Sequence, residues 1–163
     1  MRRALLLTLF LAAVPSMAQA RKGPFGLGVM LGEPSGLSAK YFFDKSSAVD
    51  FGLGYSFWHE SFHFHADYLF HFPQWMARVP GGEWLPYVGI GGKLTVWQHH
   101  HHYKDDHYDD DTHAALGVRI PLGVDWHPRA APIGVFLEVV PGVRLLPDTD
   151  PDLDLALGIR YYF

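Results

Sequence analysis

A strict alternation of side chains over residues 62–72 is the feature that most constrains the fold of this chain. The segment FHFHADYLFHF has Phe, Ala or Tyr at its even-numbered positions and His, Asp or Leu at its odd-numbered positions. Successive side chains of an extended strand point to opposite faces, so one face is aromatic and the other is largely polar. The fold must therefore provide two different environments, one on each side of this strand.

The first 20 residues have the pattern of a secretory signal peptide. Two arginines precede an apolar run over residues 4–14, and the tripeptide AQA ending at Ala20 has the small residues that signal peptidase reads. The run is shorter than the roughly 20 apolar residues of a membrane-spanning helix. We therefore expect residues 1–20 to be removed on export and residues 21–163 to form one domain.

Several patterns that define other classes of protein are missing from the sequence. The chain has no cysteine, which excludes the small secreted domains held by disulfides. After residue 20, no stretch is apolar for long enough to cross a membrane as a helix. The net charge is −4 and no basic block follows the signal peptide, so nothing indicates a nucleic-acid partner.

The alternation seen in residues 62–72 occurs eight times in the mature chain, with turn residues between the runs. Runs of this kind predict strands with two distinct faces. The runs cover residues 25–32, 37–43, 49–57, 62–72, 87–96, 116–125, 133–139 and 153–163. Because turn residues join each run to the next along the chain, neighbouring runs can pair in antiparallel order. The sequence therefore predicts an all-β fold, an eight-stranded antiparallel up-and-down barrel.

The volume inside such a barrel decides which face points inward. An eight-stranded interior is just wide enough to be filled by side chains and cannot hold the Phe, Leu, Val and Ile set of every strand. The alternate set is small and has balanced charge, so we expect it to point inward. Its charged members are Lys40, Asp67, Lys93, Arg119, Asp125, Glu138 and Arg160.

An apolar outer surface requires a hydrocarbon environment. In water it would aggregate, whereas in a bilayer a closed barrel leaves no unpaired strand edge. The tryptophans lie at or near the ends of the predicted strands, as in the aromatic girdles at membrane interfaces. They are Trp58, Trp75, Trp84, Trp97 and Trp126. The sequence therefore predicts a transmembrane β-barrel.

Two segments of the chain resemble bacterial outer-membrane barrels. The last residues, LDLALGIRYYF, resemble the C-terminal signature that the barrel-assembly machinery recognises, with Phe163 at the end. Residues 26–43, GLGVMLGEPSGLSAKYFF, are similar to the first hairpin of small barrels with the OmpA and OmpX architecture. The resemblance implies a monomer in the bacterial outer membrane, surrounded by its lipid, with a structural, adhesive or ligand-binding surface role. It supplies no catalytic residues, and we expect the protein not to be an enzyme.

The connections between runs are expected to alternate between the two sides of the membrane, with the short turns and both chain ends in the periplasm. The predicted periplasmic connections cover residues 44–47, 73–83 and 127–132. The predicted outer connections cover residues 33–35, 59–61, 98–113 and 147–152.

The predicted outer connection QHHHHYKDDHYDDDTH, residues 98–113, carries the strongest chemical feature. Imidazoles and carboxylates are suitable ligands for zinc, nickel or copper. The candidate metal ligands are His99, His100, His101, His102, His107, Asp109, Asp111 and His113. The alternative is a solvated polar loop, because such a tract has no fixed ligand spacing.

Three further functional hypotheses compete with a surface role. The inward row His63, His65, Asp67 and His71 offers acid–base groups for an outer-membrane enzyme acting on lipid or peptide, although Lys93 or Arg119 can pair with Asp67 instead. A small solute pore is disfavoured because the interior of an eight-stranded barrel is filled. A soluble ligand carrier needs its aromatic face inside and a polar outside, which the glycine-rich alternate face does not provide.

Metal binding by residues 98–113 should weaken as the pH falls. Protonation of an imidazole near about pH 6.5 removes the lone pair that binds the metal. Titration calorimetry with zinc should therefore show lower affinity at about pH 5 than at about pH 7. An affinity that does not change over this range would contradict binding through histidine.

Overall fold

The structure, a computed structural model, describes residues 23–57, 60–99 and 111–163, which form one antiparallel sheet of nine strand segments. A short 3₁₀ turn covers Pro73–Trp75. In the described residues, no helix is long and apolar enough to span a membrane. The strands are β1 (Phe25–Glu33), β2 (Ser35–Phe42), β3 (Ser47–Ser56), β4 (Ser61–His71), β5 (Glu83–His99), β6 (Asp111–Arg119), β7 (Leu122–His127), β8 (Ile133–Leu146) and β9 (Asp150–Tyr162).

The sheet closes on itself into a ring of eight strands. Strands β1 to β5 pair in chain order, β5 pairs with both β6 and β7, and both of these pair with β8. The ring is completed by β9, which lies between β8 and β1. The predicted eight-stranded antiparallel up-and-down barrel is therefore confirmed.

The sixth predicted run forms two segments, β6 and β7, because the ladder is interrupted at Ile120 and Pro121. Proline has no N–H to donate and breaks the regular pairing. The interruption is local, since the Pro121 carbonyl still accepts a hydrogen bond from the Gly89 N–H at 2.8 Å. Together β6 and β7 occupy one position in the ring.

Several strands are longer than the alternation predicts. The connection predicted over residues 73–83 contains the 3₁₀ turn, and β5 begins at Glu83, where its first residues pair with β7. This pairing brings the rings of Trp84 and Trp126 to 5.9 Å. The outer connection predicted over residues 147–152 is shorter, because the ladder of β8 and β9 continues to Arg144 and Asp150.

The two faces of the barrel have opposite character, as the alternation predicts. In β4 the odd-numbered residues 63–71 are buried, whereas the side chains of Phe62, Phe64 and Phe70 are 62%, 47% and 48% exposed. The same division holds around the ring, and all seven charged residues predicted to point inward are buried. Exposed apolar residues of the other strands include Leu27, Leu37, Phe51, Ile90, Val118, Leu137 and Leu157.

The tryptophans of the described residues lie near strand ends, but they do not all belong to an outward girdle. Trp84 and Trp126 lie on the outward face near the end of the barrel that carries Phe163, and Trp75 lies in the turn before β5. Trp97 shares a face with the buried Lys93, so it points into the other end of the barrel. Trp58 lies outside the described residues.

The turn between β2 and β3 is fixed by one aspartate. The Asp44 carboxylate accepts hydrogen bonds from the N–H groups of Ser46 and Ser47, at 2.6 and 2.9 Å, and from the Ser47 hydroxyl. Bonds to the hydroxyl of Ser47 and the backbone of Ser46 lower the pKa of Asp44 below its ordinary value. A charged Asp44 therefore holds this turn at neutral pH.

Replacing Gly158 with alanine should destabilise the barrel. An added Cβ would lie 2.3 Å from the ring of Phe136, which the guanidinium of Arg160 already contacts at 3.7 Å from the ring centroid. Overpacking of this kind costs about 1–3 kcal/mol, and we expect that loss in the free energy of unfolding by urea in lipid vesicles. The control is Gly92→Ala on the outward face, where the nearest atom is 3.7 Å away. Equal losses in both variants would contradict a tightly packed interior.

Candidate functional site: the charged lumen and the cavity at its loop end

The interior of the barrel is held by ion pairs between strands that are distant in the chain. The carboxylate of Asp125 on β7 accepts a hydrogen bond from Lys40 Nζ of β2 at 2.5 Å, and it lies 3.5 Å from Arg160 Nη1 of β9. Arg160 also donates to the Asp50 carboxylate at 2.5 Å and to the Ser38 hydroxyl at 2.7 Å. All of these side chains are buried. This group of contacts connects opposite walls of the ring.

A second group of ion pairs lies nearer the loop end, the end of the barrel opposite Phe163. Arg119 is its centre, with nitrogens 3.3 Å from Asp67, 3.6 Å from Glu138 and 3.4 Å from Asp154. The Tyr87 hydroxyl donates to the Glu138 carboxylate at 2.8 Å. Arg119 is one of the two partners that the sequence predicts for Asp67.

Lys93, the other predicted partner of Asp67, binds different carboxylates. Its Nζ is 3.0 Å from Asp154 Oδ2 and also contacts Asp152. The register explains the difference, because Asp67 lies opposite Gly91 and Lys93 lies opposite His65. Lys93 is thus two residue pairs closer to the loop end, where β9 presents its aspartates.

The inward histidines of β4 do not form one acid–base centre. His63 Nε2 lies 2.9 Å from the Ser61 hydroxyl, and His71 Nε2 lies 3.2 Å from Asp125. His65 Nε2 is 4.0 Å from Asp67. Each ring has a separate partner at a different height in the lumen, and within the described residues no three His, Asp or Glu side chains are grouped to hold a metal. This arrangement does not favour the enzyme reading of the lumen row.

Large side chains fill the middle of the lumen. Met30, Phe136 and Ala156 pack together, and each is at most 3% exposed. Arg160, 1% exposed, lies over the Phe136 ring. A solute passing along the axis would have to displace these side chains and their ion pairs, so the geometry does not favour the pore reading.

The structure brings together the two ends of the predicted metal-binding segment. His99 is the last residue of β5 and lies opposite Asp111, the first residue of β6. Two pairs further along, the ring of His113 stacks on Trp97 with the centroids 6.0 Å apart. The remaining predicted ligands lie outside the described residues, and the metal site stays a prediction. The predicted ligands outside the described residues are His100, His101, His102, His107 and Asp109.

A cavity of about 320 Å³ lies at the loop end of the lumen, between the ends of β4, β5, β6, β8 and β9. We call it the loop-end cavity. Its lining includes Ser61, His63, Lys93, Thr95, Trp97, Arg144 and Asp152. The alternation of side chains does not predict this cavity. Its only signal was the inward spacing of Lys93, Thr95 and Trp97 along one run.

These features define the class of the fold, an eight-stranded up-and-down barrel with a charged interior and an apolar exterior. In comparisons with known proteins, no family model and no curated sequence matches the chain. Among solved structures, it is similar to the N-terminal β-barrel domain of Pseudomonas aeruginosa OprF. The identity is 15% and the TM-score 0.60, and the match covers 88% of this chain and 100% of that domain.

Two further solved structures match over similar lengths. Neisserial surface protein A matches at 14% identity and a TM-score of 0.49, over 85% of this chain and 93% of that one. Ail, the attachment invasion locus protein of Yersinia pestis, matches at 12% identity and a TM-score of 0.44, over 85% of this chain and 94% of that one. At such low identity it is the fold that is shared, and the OprF domain is the neighbour that supports this.

Replacing Asp125 with alanine should destabilise the protein strongly. The change leaves the buried cations of Lys40 and Arg160 without a shared carboxylate, and breaking a buried pair costs about 3–5 kcal/mol. The measurement is the free energy of unfolding by urea in lipid vesicles. The matched control is Asp150→Ala, whose partner Arg144 is 41% exposed, and we expect a loss of about 1 kcal/mol or less. A small loss for Asp125→Ala would show that the lumen pairs do not stabilise the barrel.

Proposed function

We propose that this protein is a bacterial outer-membrane barrel with a structural or surface-interaction role. The observation that carries the proposal is the continuous apolar exterior of a closed sheet. Side chains such as Leu31, Leu153 and Phe62 are 68%, 67% and 62% exposed, while the seven inward charged residues of the strands are buried. A soluble protein seldom exposes an apolar surface of this extent.

A bilayer is the environment that suits this exterior. Hydrocarbon solvates the outward Leu, Val, Ile and Phe side chains, and ring closure satisfies the backbone groups that lipid cannot. Strands of the ring are long enough to cross a bilayer, which takes about 9–11 tilted residues. For example, β4 has 11 residues. The fold shared with the OprF domain agrees with this environment.

The remaining parts of the proposal follow from the sequence. Residues 1–20 direct export, and residues 21–163 form the barrel as a monomer in outer-membrane lipid. The barrel-assembly machinery recognises β9 and Phe163, which is 65% exposed and stacks on Phe25 at the closure of the ring. The chain termini lie in the periplasm, and the loop end faces outward to meet an extracellular ligand. The separate partners of the lumen histidines support a role other than catalysis.

Metal capture at the loop end is the second candidate function. The register that places His99 opposite Asp111 favours it, because it holds both ends of the His- and Asp-rich segment together at the mouth of the barrel. Zinc, nickel and copper are the suitable ions. The control for any binding measurement is a variant with residues 99–113 replaced by a short Gly/Ser turn.

Cell fractionation tests the membrane proposal directly. When the full chain is expressed in a Gram-negative host, the protein should be recovered in the outer membrane and should resist extraction at high pH. A variant with Leu157→Arg in the middle of the apolar exterior should lose about 2–4 kcal/mol of stability in lipid. Recovery of the unaltered protein in the soluble periplasmic fraction would contradict the proposal.

A further inference from the structure

We propose that the loop-end cavity binds a neutral, hydroxyl-rich ring ligand of the size of a mono- or disaccharide. The inference deepens the surface-interaction role and rests on it, because that role places the loop end outside the cell. The cavity volume of about 320 Å³ lies at the lower end of the range for small-molecule sites. Such sites combine apolar surface with a few polar groups that orient the ligand.

The charges around the cavity disfavour an anionic ligand. Lys93 already donates to both oxygens of Asp154, at 3.0 and 3.1 Å, and contacts Asp152 as well. Arg144, the other cation in the lining, is paired with Asp150. A phosphate or sulfate would have to displace these carboxylates and would meet their negative charge. A neutral ligand can accept hydrogen bonds from the edges of these ion pairs without separating them.

One wall of the cavity carries groups that match the hydrogen bonding of sugar hydroxyls. His63 links two hydroxyls, with Nε2 2.9 Å from Ser61 Oγ and Nδ1 3.3 Å from Thr95 Oγ1. A neutral imidazole donates from one nitrogen and accepts at the other, and each hydroxyl can do both. The wall therefore presents donors and acceptors side by side, as neighbouring hydroxyls of a pyranose do.

An aromatic ring lies next to this polar wall. Trp97 is half-buried, lines the cavity and is directly opposite Ser61 in the register of β4 and β5. Its indole stacks on His113 at an interplanar angle of 19°, which holds the plane of the ring. A flat indole offers a large apolar area with little conformational freedom to lose. It suits the C–H face of a sugar ring whose hydroxyls bond to the adjacent wall.

The test is ligand-observed saturation-transfer NMR on the purified protein in a detergent without a sugar headgroup. The probes are methyl glucoside, lactose, maltose and chitobiose, with glucose 6-phosphate as the anionic probe. We expect saturable binding of at least one neutral probe and weaker binding of the phosphorylated one. Two variants, Trp97→Leu and Thr95→Val, remove the aromatic surface and one hydroxyl without adding charge. Each should weaken that binding, the first by about tenfold or more.

The matched control is Trp126→Leu, which removes an outward indole at the other end of the barrel and should leave binding unchanged. The folded state of every variant is checked by its heat-dependent migration on gels. The inference is overturned if no neutral probe binds, if glucose 6-phosphate binds best, or if the Trp97→Leu and Trp126→Leu variants bind equally well. None of these outcomes bears on membrane insertion, which the fractionation experiment tests separately.

Discussion

The narrow interior of an eight-stranded ring is the constraint on which the rest of this structure depends. It has room for glycines, small residues and a limited number of long polar side chains, so the bulky apolar residues of every strand must lie outside. Charges inside such a space are costly unless each one is paired. The cross-lumen contacts of Asp125 with Lys40 and Arg160, and of Arg119 with Asp67 and Asp154, meet this requirement.

The same constraint separates the functional regions of the molecule. The middle of the lumen is occupied by Phe136, Met30 and the guanidinium of Arg160, which leaves no room for a ligand. Space remains at the loop end, where the lining combines hydroxyl, imidazole and indole groups with the paired charges of Lys93, Arg144 and Asp152. A barrel of this kind can therefore keep a filled middle and still hold a cavity at one end.

The faces of the strands could be predicted from the sequence, whereas several contacts could not. The period of two assigns each side chain to a face without knowledge of its neighbours, so all seven inward charges were placed correctly. Partners depend on register, which alternation does not encode. For this reason Lys93 was paired with Asp67 as an alternative, although it binds Asp152 and Asp154.

Local exceptions to the alternation were also beyond prediction. The break at Pro121 depends on how one residue without an N–H fits between β5 and β8, and the length of β5 depends on its pairing with β7. Trp97 was placed in an outward girdle because tryptophans are common there, yet its position in the run puts it inside. The loop-end cavity follows from that orientation, so sequence reasoning missed both together.

The most direct test of this account is spin labelling along residues 62–72 in lipid bilayers. The chain has no cysteine, so single cysteines can be introduced at each position and labelled without interference. Because the even-numbered side chains face outward, we expect dissolved oxygen, which concentrates in lipid, to relax labels at positions 62, 64, 66, 68 and 70 much faster than labels at 63, 65, 67, 69 and 71. A reversed pattern, or equal relaxation at odd and even positions, would contradict an apolar exterior around a charged lumen.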